Sequence, residues 1–135
     1  MNISLTKKQF RRLIDLVYIG NWVLNSNRGG DRISDYDDVE RKLFSLCIEN
    51  GMGILADKVG DEAVPSRAFI EGGIHEAIMD YEDSVFFEIL AEELARRDVQ
   101  SDGLSEQDGE EIIKRINEYI SEFETNGIDN INVNM

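Results

Sequence analysis

Residues 84–98 read SVFFEILAEELARRD, and this stretch decides the fold class. At roughly 100° per residue, Phe86, Phe87, Leu90, Ala91 and Leu94 fall on one arc, while Glu88, Glu92, Glu93 and Arg96 fall mostly opposite, as in an amphipathic helix with one core-facing side. Glu82 and Asp83 stand where a helix N-terminus favours anions, and Arg96 and Arg97 where its C-terminus favours cations. Glu92–Arg96 and Glu93–Arg97 add acid-before-base pairs worth about 0.3–0.5 kcal/mol each on an exposed surface. They reinforce a helix and carry no chemistry.

Upstream, Ile74–Tyr81 aligns Ile74, Ala77, Ile78 and Tyr81 as a second helix, expected to meet the first at an angle near Asp80–Asp83. Ser66–Glu71 followed by Gly72-Gly73 reads as a short helix ended by glycine, or else the glycine pair sits inside one kinked helix. Met52–Ser66 has no clean period and reads as loop, with a helical turn at Ile54–Lys58.

Leu5-Thr6-Lys7-Lys8-Gln9-Phe10 opens the first helix, with Thr6 as cap, Gln9 completing a capping box and Leu5 and Phe10 forming a hydrophobic staple. Phe10, Leu13, Ile14, Val17 and Tyr18 line one face. From Leu16 on, Ile19, Trp22, Val23 and Leu24 fill the polar side as well, so the helix is expected to be covered on both sides, by the rest of the domain or by a second copy. Gly20 would let another backbone come close. After a polar connector at Asn25–Ser34, a second helix starts at Asp35 with Tyr36, Val39, Leu43, Leu46 and Cys47 on one face and ends at Asn50-Gly51. Val99–Leu104 is a connection. Ser105 and Asp108 mark a last helix striped by Ile112, Ile116, Tyr119, Ile120 and Phe123, and the tail IDNINVNM alternates as a short extended segment would. The expectation is an all-α fold: residues 1–135 as a single-domain bundle of four to five amphipathic helices with an extended C-terminal tail.

A chain of 135 residues suits one domain, and 41% hydrophobic with 31% charged residues is too apolar for disorder. The lone Cys47 can form neither an intrachain disulfide nor a cysteine-based zinc site, and the start MNISLTKKQF lacks a signal-peptide pattern, so a cytoplasmic location is expected. The apolar stretch Leu16–Leu24 is far short of the roughly 20 residues that span a bilayer, so no membrane span is expected. The net charge is −14, with +4 on Met1–Ser34 and −18 on Asp35–Met135. Such a surface repels nucleic acid and favours basic partners or cations.

No constellation completes a catalytic site. Asp98-Val99-Gln100-Ser101-Asp102-Gly103 starts like a calcium loop, but Ser105 and Gly109 stand at the eighth and twelfth places, where an apolar residue and a bidentate carboxylate belong. Helical carboxylate pairs of the kind that hold Mg²⁺ occur at Glu88/Glu92, Glu76/Asp80/Asp83 and Glu118/Glu122, with Glu88 and Glu92 on the polar arc. His75 is the only histidine and has no second ligand at metal spacing. No metal, cofactor or catalytic residue is therefore expected.

Two surface features remain. Lys7, Lys8, Arg11 and Arg12 form a basic strip at a helix start, where cations are slightly disfavoured. Acids cluster at Asp31, Asp35, Asp37, Asp38 and Glu40, at Glu76, Asp80, Glu82 and Asp83, and at Glu106, Asp108, Glu110 and Glu111. The reading is a small acidic cytoplasmic protein acting by protein–protein interaction, without catalysis of its own. Its partner is another protein, and it pairs as a homodimer through Ile19, Trp22 and Val23. The alternatives are an acidic nucleic-acid mimic that inhibits a DNA- or RNA-binding protein and a Mg-dependent all-α nucleotide hydrolase.

Overall fold

The computed structural model describes residues 1–105 and 107–135; Glu106, one of the clustered acids, lies outside the described residues. The chain is mostly helical, but a small sheet is added to the helices: α1 (Lys7–Asn25), α2 (Ser34–Glu49), β1 (Ala56–Val59), β2 (Glu62–Pro65), the single turn α3 (Arg67–Phe69), α4 (His75–Ser101) and α5 (Gly109–Asn126). It divides into two compact units, Met1–Ile78 and Met79–Met135.

In the first unit, α1 begins with the expected capping box. The Thr6 hydroxyl oxygen accepts from the Gln9 amide at 3.1 Å, and the Gln9 side chain accepts from the Thr6 amide at 2.9 Å. α2 starts one residue before Asp35, after Ile33, whose side chain cannot cap; Asp35 and Asp37 sit instead in the first turn, where the helix dipole favours them. Its end is set by Gly51 at φ +77°, which lets the Met52 amide return to the Cys47 carbonyl at 2.8 Å.

The segment after Gly51 is a hairpin, and the loop expected there is corrected. A 3-10 turn at Gly53–Leu55 leads into β1, which pairs antiparallel with β2 from Ala56↔Pro65 to Val59↔Glu62. Gly60 at φ +62° makes the turn. Of these strands, Ala56 and Ala63 are the residues that face fully inward, and two alanines produce no visible alternation of large apolar side chains. Pro65 stands at the strand end, where its missing N–H costs little. Ser66 then closes the hairpin onto α3: its hydroxyl donates to the Ile54 carbonyl at 2.6 Å and accepts from the Phe69 amide at 3.2 Å.

Ile14, Tyr18, Phe44, Cys47, Met52, Ala56, Ala63, Phe69 and Ile78 form the core. Phe69 is its hub, edge-on to Phe44 and to Tyr18 at 5.1 Å each. Beyond it the chain passes through a π-helical turn, Ile70–Ile74, with Gly73 at φ +105°, into α4. The bend thus falls at the glycine pair, and α4 runs unbroken through Asp80–Asp83, where an angle was expected.

In the second unit, α4 buries or half-buries a stripe of Phe87, Leu90, Ala91, Leu94, Ala95 and Val99, and it meets α5 at both ends of that stripe. Phe87 meets Phe123 at 5.5 Å between ring centroids. Two expectations change here. Phe86 is half-exposed, one position off the stripe, and Val99, read as connection, is fully buried because α4 continues to Ser101. The Tyr119 hydroxyl donates to the Asp98 carboxylate, and Arg115 holds Asp102 at 2.7 Å and Glu111 at 2.8 Å. Asp108 caps α5. Residues 128–135 form a turn and irregular chain with no strand.

Gly73→Ala should lower the unfolding free energy by about 1–2 kcal/mol, because a Cβ strains a left-handed backbone. Gly72→Ala, at a neighbouring position with open space and no positive φ, should be neutral or stabilising. Urea denaturation of both variants checks the pair.

Candidate functional site

The last two turns of α1 carry their amides inward. Asn25 is fully buried and Asn21 nearly so. Asn25 Nδ2 donates to the Ile33 carbonyl at 3.0 Å, its Oδ1 accepts from the Ile33 amide at 2.8 Å, and Nδ2 also reaches Asn21 Oδ1 at 2.7 Å. Asn21 Nδ2 in turn donates to Asp37 Oδ1 at 2.9 Å, and Arg32 donates to both oxygens of Asp37 at 2.6 and 2.7 Å. The Arg32 fork and the Asn21 amide favour the charged carboxylate and hold Asp37 down to about 2.

This lock ties the start of α2 to the end of α1 and sets Glu40, one turn beyond Asp37, beside Tyr18 and Asn21. Tyr18, Asn21, Trp22, Ser26, Arg32 and Glu40 line a cleft of about 320 Å³. Burial pushes the half-buried Glu40 carboxyl above the usual range, with the charge of Asp37 adding to the effect and the Asn21 amide, Arg32 and Arg41 opposing it. Burial and then the Glu40 charge raise the Tyr18 hydroxyl in the same sense. His75 Nε2 lies 2.6 Å from the Tyr18 hydroxyl. The His75 ring stands edge-on to Trp22 at 4.7 Å, and Trp22 is stacked 6.3 Å from Tyr18. One histidine therefore braces both aromatic walls.

A second face of α1 is apolar and open. Leu16 is 67% exposed and Val23 65%, and Leu24, with Tyr36 and Val39 of α2, is more than a third exposed. They surround Gly20, where an added Cβ would meet nothing within 4 Å. Val17, Gly20, Asn21, Leu24, Tyr36 and Val39 line a shallow, mostly apolar hollow at the seam of α1 and α2, and Ile3, Leu5, Leu13 and Leu16 line another farther along, beside Lys8 and Arg12.

Of the contact residues expected from sequence, Val23 lies on this open face, Trp22 forms a wall of the cleft and Ile19 is half-buried against the core. Lys7, Lys8 and Arg12 are exposed. Arg11 reaches Asp15 at 2.5 Å and lies over the Phe69 ring, and Arg12 also meets Asp15, at 3.2 Å. Asp35 and Asp38 are exposed, whereas Asp37 belongs to the lock. Asp80, Glu82 and Asp83 are exposed along the middle of α4. Cys47 is fully buried, and burial raises its thiol. The acids of the calcium-like segment are engaged by neighbours: Asp98 by Arg97 and Tyr119, Asp102 by Arg115. Among the described residues no three acidic, histidine or cysteine groups converge as a metal site requires, and no helix is long and apolar enough to cross a membrane. Sequence reading missed the cleft as a unit. Its signal is a pair of amides four apart, Asn21 and Asn25, on the same arc as Ile14 and Tyr18.

Two carboxylates in one lock give opposite pH signatures. Asp37 titrates lower folded than unfolded, so its contribution is present above its ordinary 3.8 and is lost as pH falls towards about 2. Asp37→Asn should lower stability at neutral pH and flatten that acid limb. Glu40 titrates higher folded than unfolded, so its charge opposes folding at neutral pH. Glu40→Gln should stabilise the chain at pH 7, and the gain should fade on acidification. Thermal unfolding across pH checks both. No family model, curated protein or solved structure matches this chain.

Proposed function

We propose that the chain acts by protein–protein contact, without catalysis of its own, in a reducing cytoplasmic setting that suits its single buried thiol. It pairs with a second copy through the open face of α1 and offers its acidic C-terminal unit to basic partners. The observation that supports the reading is the mixed burial of α1, which buries Asn21 and Asn25 beside Ile14 and Tyr18 and leaves Leu16 and Val23 exposed and Leu24 partly so. Apolar surface of this kind is stabilised by cover, at roughly 25 cal/mol per Å² removed from water. Gly20 lies in the middle of the exposed group, so a partner helix can approach closely, as small residues allow at helix crossings. A two-fold contact through one such face is self-complementary and closes as a dimer.

Charge divides the chain in a way that fits this role. Met1–Ile78 carries ten Lys or Arg against 12 Asp or Glu, a net −2, and Met79–Met135 carries four against 16, a net −12. The nearly neutral unit can pair with itself without strong repulsion, while the acidic one steers basic proteins towards it. That segregation also favours a second reading, in which acids held on α4 and α5 occupy the basic groove of a nucleic-acid-binding protein. Competition with duplex DNA that weakens steeply with salt would mark it. The Mg-dependent hydrolase reading has no converging carboxylates among the described residues to rest on.

Light scattering across a concentration series tests the dimer. Wild type should move from monomer to dimer, and Gly20→Met and Leu16→Asp should each weaken association at least about tenfold, a loss of roughly 1.4 kcal/mol. A Cβ at Gly20 meets nothing within 4 Å and methionine is a good helix former, so the helical circular dichroism of Gly20→Met should be unchanged. A wild type that stays monomeric at high concentration contradicts the proposal.

A further inference from the structure

The cleft between α1 and α2 holds a carboxylate, Glu40, that no guanidinium closes on directly. Arg32, the guanidinium that lines it, already gives two hydrogen bonds to Asp37, and Arg41 lies 4.0 Å from Asp38 and 3.8 Å from Glu62. Among the described residues Glu40 forms no ion pair; Arg32 and Arg41 act on its charge only from beyond ion-pair distance. A half-buried carboxylate left in this state costs stability, and a cation brought from outside would relieve that cost.

The walls suit such a cation. Trp22, 36% exposed, and Tyr18 present ring systems on one side of the cleft, and His75 fixes both of them. Aromatic rings beside a carboxylate attract an ammonium or guanidinium group through the ring quadrupole and the ion pair together, most strongly where water is partly excluded. Ser26 and Asn21 add polar atoms at the edge. A volume of about 320 Å³ lies at the small end of the roughly 300–1,000 Å³ usual for ligand pockets, which admits an amine or an amino-acid side chain.

We propose that the Tyr18–Trp22–Glu40 cleft binds a small organic cation, an alkylammonium or guanidinium group. The charge belongs to the ligand, Glu40 is its counter-ion, and Trp22 and Tyr18 cover its alkyl portion. The group arrives either as a free amine or as a lysine or arginine side chain of a basic protein. All the lining residues come from one chain, so the site does not depend on the dimer.

Trp22 is the single tryptophan, and its emission therefore reports from the cleft. The full chain is titrated with n-butylammonium, n-butylguanidinium and the neutral 1-butanol, with calorimetry alongside. Saturable binding of the two cations, no saturation with butanol and at least a tenfold loss in Glu40→Gln are expected. Gly20→Met, with its association face blocked, should bind as wild type does. Equal responses to cation and alcohol, no saturation with any probe, unchanged affinity in Glu40→Gln, or loss of binding in Gly20→Met would overturn the proposal. Glu40→Asp, which keeps the charge on a shorter stem, should retain binding where Glu40→Gln does not, separating charge from fold. A lysine-containing peptide supplies the second arm: tighter binding than n-butylammonium assigns the cation to a protein side chain, and equal or weaker binding assigns it to a free amine.

Discussion

The side chain of Asn25, sealed from solvent, takes both backbone groups of Ile33 and so joins the end of α1 to the start of α2. An amide can imitate a peptide group in this way, donating and accepting at once, and a buried one left without partners would cost about 1–3 kcal/mol. From Asn25 the bonding passes to Asn21, then to Asp37 and Arg32. Among the described residues no buried side-chain nitrogen or oxygen lacks a partner, so the lock is complete, buried at Asn25–Asn21 and open to solvent at Arg32–Asp37. Because α2 begins where Ile33 is held, the lock also decides which side chain faces Tyr18 and Trp22 one turn later.

That arrangement has a consequence for the rest of α1. A helix has one circumference, and arc given to asparagines is arc taken from aliphatic side chains. Leu16, Val23 and Leu24 are left outside by the same geometry that brings Asn21 and Asn25 inside. Glu40 is a second local loss, a carboxylate drawn partly out of water and eased by Arg32 and Arg41 only from beyond ion-pair distance. Stability sacrificed at two neighbouring places, beside a core as well ordered as that around Phe69, is what a binding surface looks like when folding alone does not explain it.

Where side chains are large and periodic, the fold was legible in the sequence. Thr6 and Gln9 announced the start of α1, Cys47 lay on the inner face of α2 as read, and Ile112 to Phe123 striped α5, whereas the same α2 face included the exposed Tyr36 and Val39 and missed the fully buried Phe44. The hairpin was not legible, because its inward positions are Ala56 and Ala63 and its strands are four residues each. The glycine pair before α4 allowed two readings, and only the positive φ of Gly73 separates them. The cleft was hidden for a different reason: its members are spread from Tyr18 to His75, and hydropathy counted Asn21 and Asn25 as interruptions in an apolar run. Polar residues on the inner arc of a helix carry information that an apolar tally discards. The acidity, by contrast, was visible in composition, and the structure adds where it lies.

Native-state hydrogen exchange at the Ile33 amide tests the lock most directly, with wild type compared against Asn25→Ala. The account predicts strong protection in the wild type, its loss in the variant, and a fall in global stability of about 1–3 kcal/mol as Asn21 and Ile33 lose their buried partner. An Ile33 amide equally protected in both proteins, with stability unchanged, would contradict it.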